Sequence, residues 1–168
     1  MRKQYSESSL STQLTPLQET PAGEMPPAVK AWTRFLRAHA TTTRLLNAQL
    51  QTQHGLTLND YEALQVLACA EGRHMKRVDL ARRLVLTPSG ITRLLEGLEQ
   101  AGLVERVACP GDLRVVYAQL TEAGAAKLRE ASCGHEGSIR SLMEEHLSPA
   151  EIDQLANVLA KVPGGADE

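Results

Sequence analysis

Aromatic side chains are scarce: 3% of 168 residues, with one Trp, one Phe and three Tyr. A core must therefore be filled by Leu, Val and Ala, which the 42% apolar share can supply. No run of about 18 consecutive apolar residues is present, so no membrane-spanning helix is expected. The N-terminus lacks the charged, apolar and small-residue succession of a secretory leader, which points to a cytoplasmic protein. The three cysteines, Cys69, Cys109 and Cys133, are far apart and odd in number, and in a reducing compartment they read as thiols, not a disulfide framework. Cys69 sits among apolar neighbours and reads as inert core.

Catalytic signatures are missing too. There is no G-x-S-x-G, H-E-x-x-H, P-loop or dinucleotide glycine pattern, and His135-Glu136 runs on into Gly137-Ser138 without a second His one turn later. An enzyme is not expected. The histidines, His39, His54, His74, His135 and His146, are widely scattered. His135 and His146 fall on one helical segment about 16 Å apart at 1.5 Å per residue, too far to share an ion. They read as surface or interface groups, with no metal and no cofactor.

The net charge of −2 hides an uneven distribution. Residues 1–72 are balanced, residues 73–120 carry a net +3, and residues 121–168 a net −5. The basic residues of the middle segment are Arg73, Lys76, Arg77, Arg82, Arg83, Arg93, Arg106 and Arg114. A basic middle on an acidic frame is compatible with a nucleic-acid partner despite a pI near 6.2.

Residues 1–27, rich in Ser, Thr, Gln and Pro, read as a flexible tail. From residue 28 to about 53, Trp32, Leu36, His39, Thr43, Leu46 and Leu50 alternate in steps of four and three, a narrow helical seam suited to helix–helix packing and stopped by Gly55. A second helix is expected to open at Asn59 or Asp60, turn Tyr61, Leu64, Leu67 and Ala68 inward, and end at Gly72. The basic run RHMKR follows, then a short helix over residues 79–86 and another over 87–101. Two β-branched runs, 103–107 and 115–120, flank CPGD and predict a hairpin. Thr121 caps a helix running to about residue 146, and Ser148-Pro149-Ala150-Glu151 forms a capping box for a last helix that turns Ile152, Leu155, Leu159 and Val162 inward. The fold class is thus mainly α with a small β-wing.

Residues 86–106, LTPSGITRLLEGLEQAGLVER, place their polar groups at the opening turn. Thr87 is the N-cap and Pro88 the first helical residue, while Ile91, Leu94, Leu95 and Leu98 share one face and bury. Ser89, Gly90, Thr92 and Arg93 are left outward at the positive end of the helix dipole. Small hydroxyls, a glycine and one arginine suit a helix entered end-first into a major groove. Ala81, Ile91 and Leu94 have the spacing at which two helix-turn-helix helices touch, and a hairpin with basic ends follows at once.

With LTLNDYEALQVLA, VDLARRLVLTPSGITRLLEGLEQAGLVER, the wing CPGDLR and the return strand into LTEAG, the chain resembles the MarR family of bacterial winged-helix repressors over roughly residues 28–162. The resemblance implies a DNA-binding lobe at about 57–120, dimerisation helices at about 28–54 and 121–162, and a C-terminal tail at 163–168. It implies a homodimer whose two recognition helices stand about 34 Å apart on a near-palindromic double-stranded DNA site. Ser89, Thr92 and Arg93 then read bases, with Thr87 capping and touching phosphate. Asp112 structures the wing, Arg114 enters the minor groove, and Lys76, Arg77 and Arg106 neutralise backbone. Two positions depart from the family pattern: Val115 follows Arg114 where a small residue is usual, and Val78 stands where Ser or Thr often opens the first helix of the pair, leaving Asp79 as a substitute cap.

Family members commonly release DNA on binding small aromatic or phenolic anions, and Trp32, Phe35, His39 and Tyr61 are the residues expected to line such a cleft. A redox-sensing branch keeps a reactive cysteine early in the first helix, but no Cys precedes Cys69 here. Cys109, with Arg106 and Arg114 close in sequence, is the thiol that a redox-sensing alternative would use. A winged-helix module that binds protein instead of DNA is the other alternative, and it would leave Arg93 and Arg114 idle.

Overall fold

The computed structural model describes residues 25–109 and 112–165, with no side-chain description for residues 109 and 112–115. Its elements in order are α1 (Pro27–His54), α2 (Leu58–Cys69), a 3-10 turn (Glu71–Arg73), β1 (His74–Lys76), α3 (Arg77–Arg83), α4 (Pro88–Gln100), β2 (Val104–Cys109), β3 (Asp112–Leu120), α5 (Glu122–Glu144) and α6 (Pro149–Leu159). The described residues fall into two units, 25–37 and those from Ala38 onward. The flexible tail expected at 1–27 lies almost wholly outside the described residues.

Caps explain most of the boundaries. Pro26 accepts the first bond of α1 from Lys30 N–H at 2.9 Å. α2 begins earlier than expected because Thr57, not Asn59 or Asp60, is the cap. Asp60 N–H donates to Thr57 Oγ1 at 3.1 Å, and Thr57 N–H donates back to the Asp60 carboxylate at 2.8 Å. This is a reciprocal capping box with Asp in the place usually held by Glu. Leu58 N–H donates to Asn47 Oδ1 at 2.9 Å, tying the opening of α2 to α1. α2 stops at Cys69, three residues short of Gly72, where the chain tightens into the 3-10 turn.

The run RHMKR contains a strand that its basic composition conceals. β1 pairs antiparallel with β3, His74 opposite Gln119 and Lys76 opposite Tyr117, and the sheet order is β1-β3-β2. The wing strands are longer than the two β-branched runs suggest. Val104 stands opposite Leu120 and Val107 opposite Tyr117, with a register shift at Ala108 and Cys109.

α3 starts at Arg77, two residues before Asp79, and its N-cap Lys76 makes no side-chain capping bond. Asp79 is therefore not the cap; it lies in the first turn and pairs with Arg82 at 3.0 Å. The turn into α4 places Val85 at φ 52°, with its side chain 91% exposed. A β-branched residue in the left-handed region is strained, since its Cβ crowds the backbone.

Leu64, Leu67 and Leu80 are fully buried, with Ile91, Leu95 and Leu98 of α4 packed into the same cluster. Leu94 is half-buried at its edge. Ala68 and Cys69, both expected inward, are exposed; Ala63 is buried beside Tyr61, Leu64 and Leu67, which puts the inward stripe of α2 on the other side of those residues. On α6, Ile152, Leu155 and Leu159 are half-buried while Val162 lies beyond the helix and is exposed.

α5 meets the wing at a point with no spare room. A Cβ on Gly124 would stand 2.1 Å from the Leu103 carbonyl oxygen. The same corner is closed by Thr121, whose hydroxyl donates to Gly102 O at 2.8 Å and accepts from Gly124 N–H at 2.9 Å. Gly124→Ala should therefore lower the unfolding free energy by about 2 kcal/mol, the scale of overpacking a well-filled site. Urea denaturation checks this, and an unchanged midpoint would show that the corner yields.

Candidate nucleic-acid interface

α4 holds the predicted reading residues, and its first turn is built on Thr87. Thr87 Oγ1 accepts Gly90 N–H at 3.1 Å and lies 3.2 Å from the Ser89 hydroxyl. The capping bond expected of Thr87 is thus present. Ser89 and Arg93, four residues apart, are both exposed and share a face. Thr92 differs from them. It is half-buried, its hydroxyl donates to Pro88 O at 2.6 Å, and Arg77 Nη2 donates to that same hydroxyl. The arginine crosses from the start of α3 to α4, a contact that fifteen residues of separation hide in the sequence.

The cations around α4 divide by partner. Arg82 pairs with Asp79, Arg73 with Glu122 at 2.8 Å, and Arg106 with Glu99 at 2.7 Å. That hydrogen bond, reinforced by the charge of Glu99, holds the Arg106 guanidinium more firmly protonated than usual. Lys76, Arg77, Arg83 and Arg93 have no acidic partner among the described residues. Lys76 is exposed and Arg77 half-buried, so the uncompensated charge gathers on α3 and the opening of α4. Arg106, expected to neutralise DNA backbone, donates its Nε–H to Glu99 of α4. The side chains of Asp112, Arg114 and Cys109 lie outside the described residues.

The residues expected to line a cleft separate. Trp32 is 56% exposed, its ring centroid 6.0 Å from that of Phe35. His39 is exposed, and its nearness opposes the rise that burial imposes on the Glu62 carboxyl. Tyr61 faces no open surface: it is buried, edge-on to His135 at 4.5 Å between centroids, with its hydroxyl donating to Ser132 Oγ at 3.3 Å.

His135 is itself buried, 6% exposed, which corrects its reading as a surface or interface group. His54 is also mostly covered. Its Nδ1 lies 3.2 Å from the Glu130 carboxylate, and its Nε2 is buried without a hydrogen-bond partner. Cys133, on the same helix, is exposed. Nothing in the sequence near His135 distinguishes it from His146, which is exposed; only the packing of α2 against α5 does.

These geometries are those of a winged helix. A family model for the MarR family matches residues 56–116. AbsC, a MarR family transcriptional regulator from Streptomyces coelicolor, superposes with a TM-score of 0.72 at 32% identity, over 81% of this chain and 92% of that one. The chain belongs to the MarR family. Sco3205, a MarR regulator from the same organism solved in complex with DNA, gives a TM-score of 0.76 at 26% identity over 90% and 94% of the two chains. The transcriptional repressor YetL of Bacillus subtilis is 32% identical over 105 residues, a match spanning 62% of its length and 62% of this chain. These MarR relatives are transcriptional regulators, and the chain is not an enzyme.

Burial pushes the His135 imidazole below the ordinary histidine range; nearby Glu136 opposes this and His54 adds to it. The unfolded chain takes up that proton near pH 6.5, whereas the folded chain resists until lower pH. Stability should therefore fall as pH drops from about 7 to about 5.5. His135→Leu should remove part of that slope. The carboxylates with lowered values, Glu130 and Glu151, lose their contribution only at more acidic pH. Urea midpoints across this window test it, and identical slopes in both proteins would count against a buried neutral His135.

Proposed function

We propose that this MarR family protein is a cytoplasmic homodimeric repressor that binds a near-palindromic double-stranded DNA operator and is released by a small aromatic ligand. The observation that carries the reading is the opening of α4, where Ser89 and Arg93 stand exposed beside the unpaired Lys76 and Arg77. Arg93 reads a guanine edge, Ser89 adds a hydroxyl contact, Lys76 and Arg77 hold phosphate, and Arg114 of the wing enters the minor groove. Sco3205 bound to DNA and the repressor YetL support this assignment.

Dimerisation follows from uncovered apolar surface. Leu50, Leu46 and Thr43 of the α1 seam are buried or half-buried, but Val29 and Leu36 are exposed. Ile139 of α5 and Val158 of α6 are exposed as well. A second copy covering these residues is the arrangement that removes them from water.

The test uses full-length protein and a duplex selected from a randomised pool. Arg93→Ala should weaken binding by roughly 1–3 kcal/mol and relax preference at one position in each half-site. Leu36→Asp, at a site 45% exposed, should cost the folded chain little yet give a monomer by light scattering that no longer binds the full site. A wild-type protein that selects no duplex over random sequence overturns the reading.

The effector is placed against the exposed Trp32–Phe35 pair, not against Tyr61. Salicylate-like anions at about millimolar concentration should quench the single tryptophan and release the duplex. Release by peroxide that Cys109→Ser abolishes, without any response to aromatic anions, would instead establish a thiol sensor.

A further inference from the structure

Thr92 is expected to read DNA through its hydroxyl, but the structure has already committed that group. A hydroxyl has one proton to donate and two lone pairs to accept with. The proton goes to Pro88 O at 2.6 Å, and one lone pair takes an N–H from Arg77 Nη2. Thr92 thus has no donor left. The guanine N7 and O6, the adenine N7 and the thymine O4 are all acceptors in the major groove, so its hydroxyl can donate to none of them.

The bond to the carbonyl one turn back also fixes the side-chain rotamer, and with it the direction of the methyl group. Of its neighbours one turn away on α4, Pro88, Ser89 and Glu96 are exposed and Leu95 is buried, so half-buried Thr92 sits where the helix passes from core to solvent. Arg77 holds the hydroxyl from the other side. It is the first residue of α3, half-buried, and has no carboxylate partner among the described residues. Among the described residues one of its five N–H groups is used, on Thr92, and the rest of the planar fork has the geometry to meet a phosphate.

We infer that Thr92 recognises a thymine through its methyl group, while Arg77 is a positioning residue that locks the Thr92 hydroxyl and couples it to a backbone phosphate. The inference rests on the DNA-reading role proposed above for α4. It assigns the two residues different tasks: Thr92 touches the base, and Arg77 acts through Thr92.

The experiment takes the duplex selected by the wild-type protein and replaces each thymine of one half-site, singly, with deoxyuridine, which removes only the 5-methyl group. One replacement should weaken wild-type binding by about fourfold, the worth of one methyl-sized apolar contact. Thr92→Val, which keeps a methyl but loses the hydroxyl that Arg77 holds, should retain only part of that discrimination, as Arg77→Lys should. Thr92→Ser, which keeps the hydroxyl and loses the methyl, should bind the two duplexes alike. Arg77→Lys keeps the charge without the fork, so the salt dependence should persist while discrimination at that thymine falls. The inference is overturned if no thymine is methyl-sensitive, if the serine variant discriminates and the valine variant does not, or if Arg77→Lys leaves discrimination intact. Failure to select any duplex would appear before deoxyuridine is introduced and would strike the DNA-reading role itself.

Discussion

α5 begins against the carbonyl oxygen of Leu103, at a distance that excludes even one added carbon on Gly124. This contact joins the wing's first strand to the long helix, and the rest of the structure is arranged around it. Thr121 closes the corner by capping α5 and donating to the chain that leaves α4. Val104 and Leu120, opposite one another at the base of the wing, are both buried in the shared core. α4, the wing and α5 therefore cannot move independently without opening that corner. In an aromatic-poor chain such closeness is also how a core is filled, since Ala63, Ala118, Ala125 and Ala131 are all buried.

Much of this arrangement is legible in the residues. The leucine stripe of α4, its Thr87-Pro88 opening and the Ser148 capping box are local patterns, and local patterns survive folding with little change. What escaped depends on partners distant in sequence. β1 is three basic or sulfur-bearing residues whose strand conformation exists because β3 lies alongside. Thr57 became the cap because Asp60 can substitute for Glu at the third position, and Ala68 and Cys69 lie outward because α2 packs through Tyr61, Ala63, Leu64 and Leu67. His135 and Tyr61 were misplaced for a related reason: each is polar at its tip, and only the packing of α2 on α5 hides both.

The candidate interface was legible in its residue types but not in their division of labour. Charge counting treats every arginine of the middle segment alike. The structure separates those neutralised at home, Arg73, Arg82 and Arg106, from those with no acidic partner among the described residues, Lys76, Arg77, Arg83 and Arg93. The Arg106–Glu99 pair links the first wing strand to the end of α4, so it serves geometry before it serves any ligand. An exposed ion pair of this kind contributes little to stability, about 0–1 kcal/mol. Its consequence is orientation: Glu99 takes the Nε–H of Arg106 and fixes the direction of the guanidinium, whose terminal N–H groups are not part of that bond.

α1 gives the fold its asymmetry. Its last turns are fixed to the lobe by the Asn47 bond to Leu58 N–H, by buried Leu50 and by His54 against Glu130. Its first turns leave Trp32, Phe35 and Leu36 exposed on the same continuous helix. Within the lobe, Leu64 and Leu67 of α2 share one close-packed core with Ile91, Leu95 and Leu98 of α4, so a change in how α2 packs is felt at α4 without touching its exposed face.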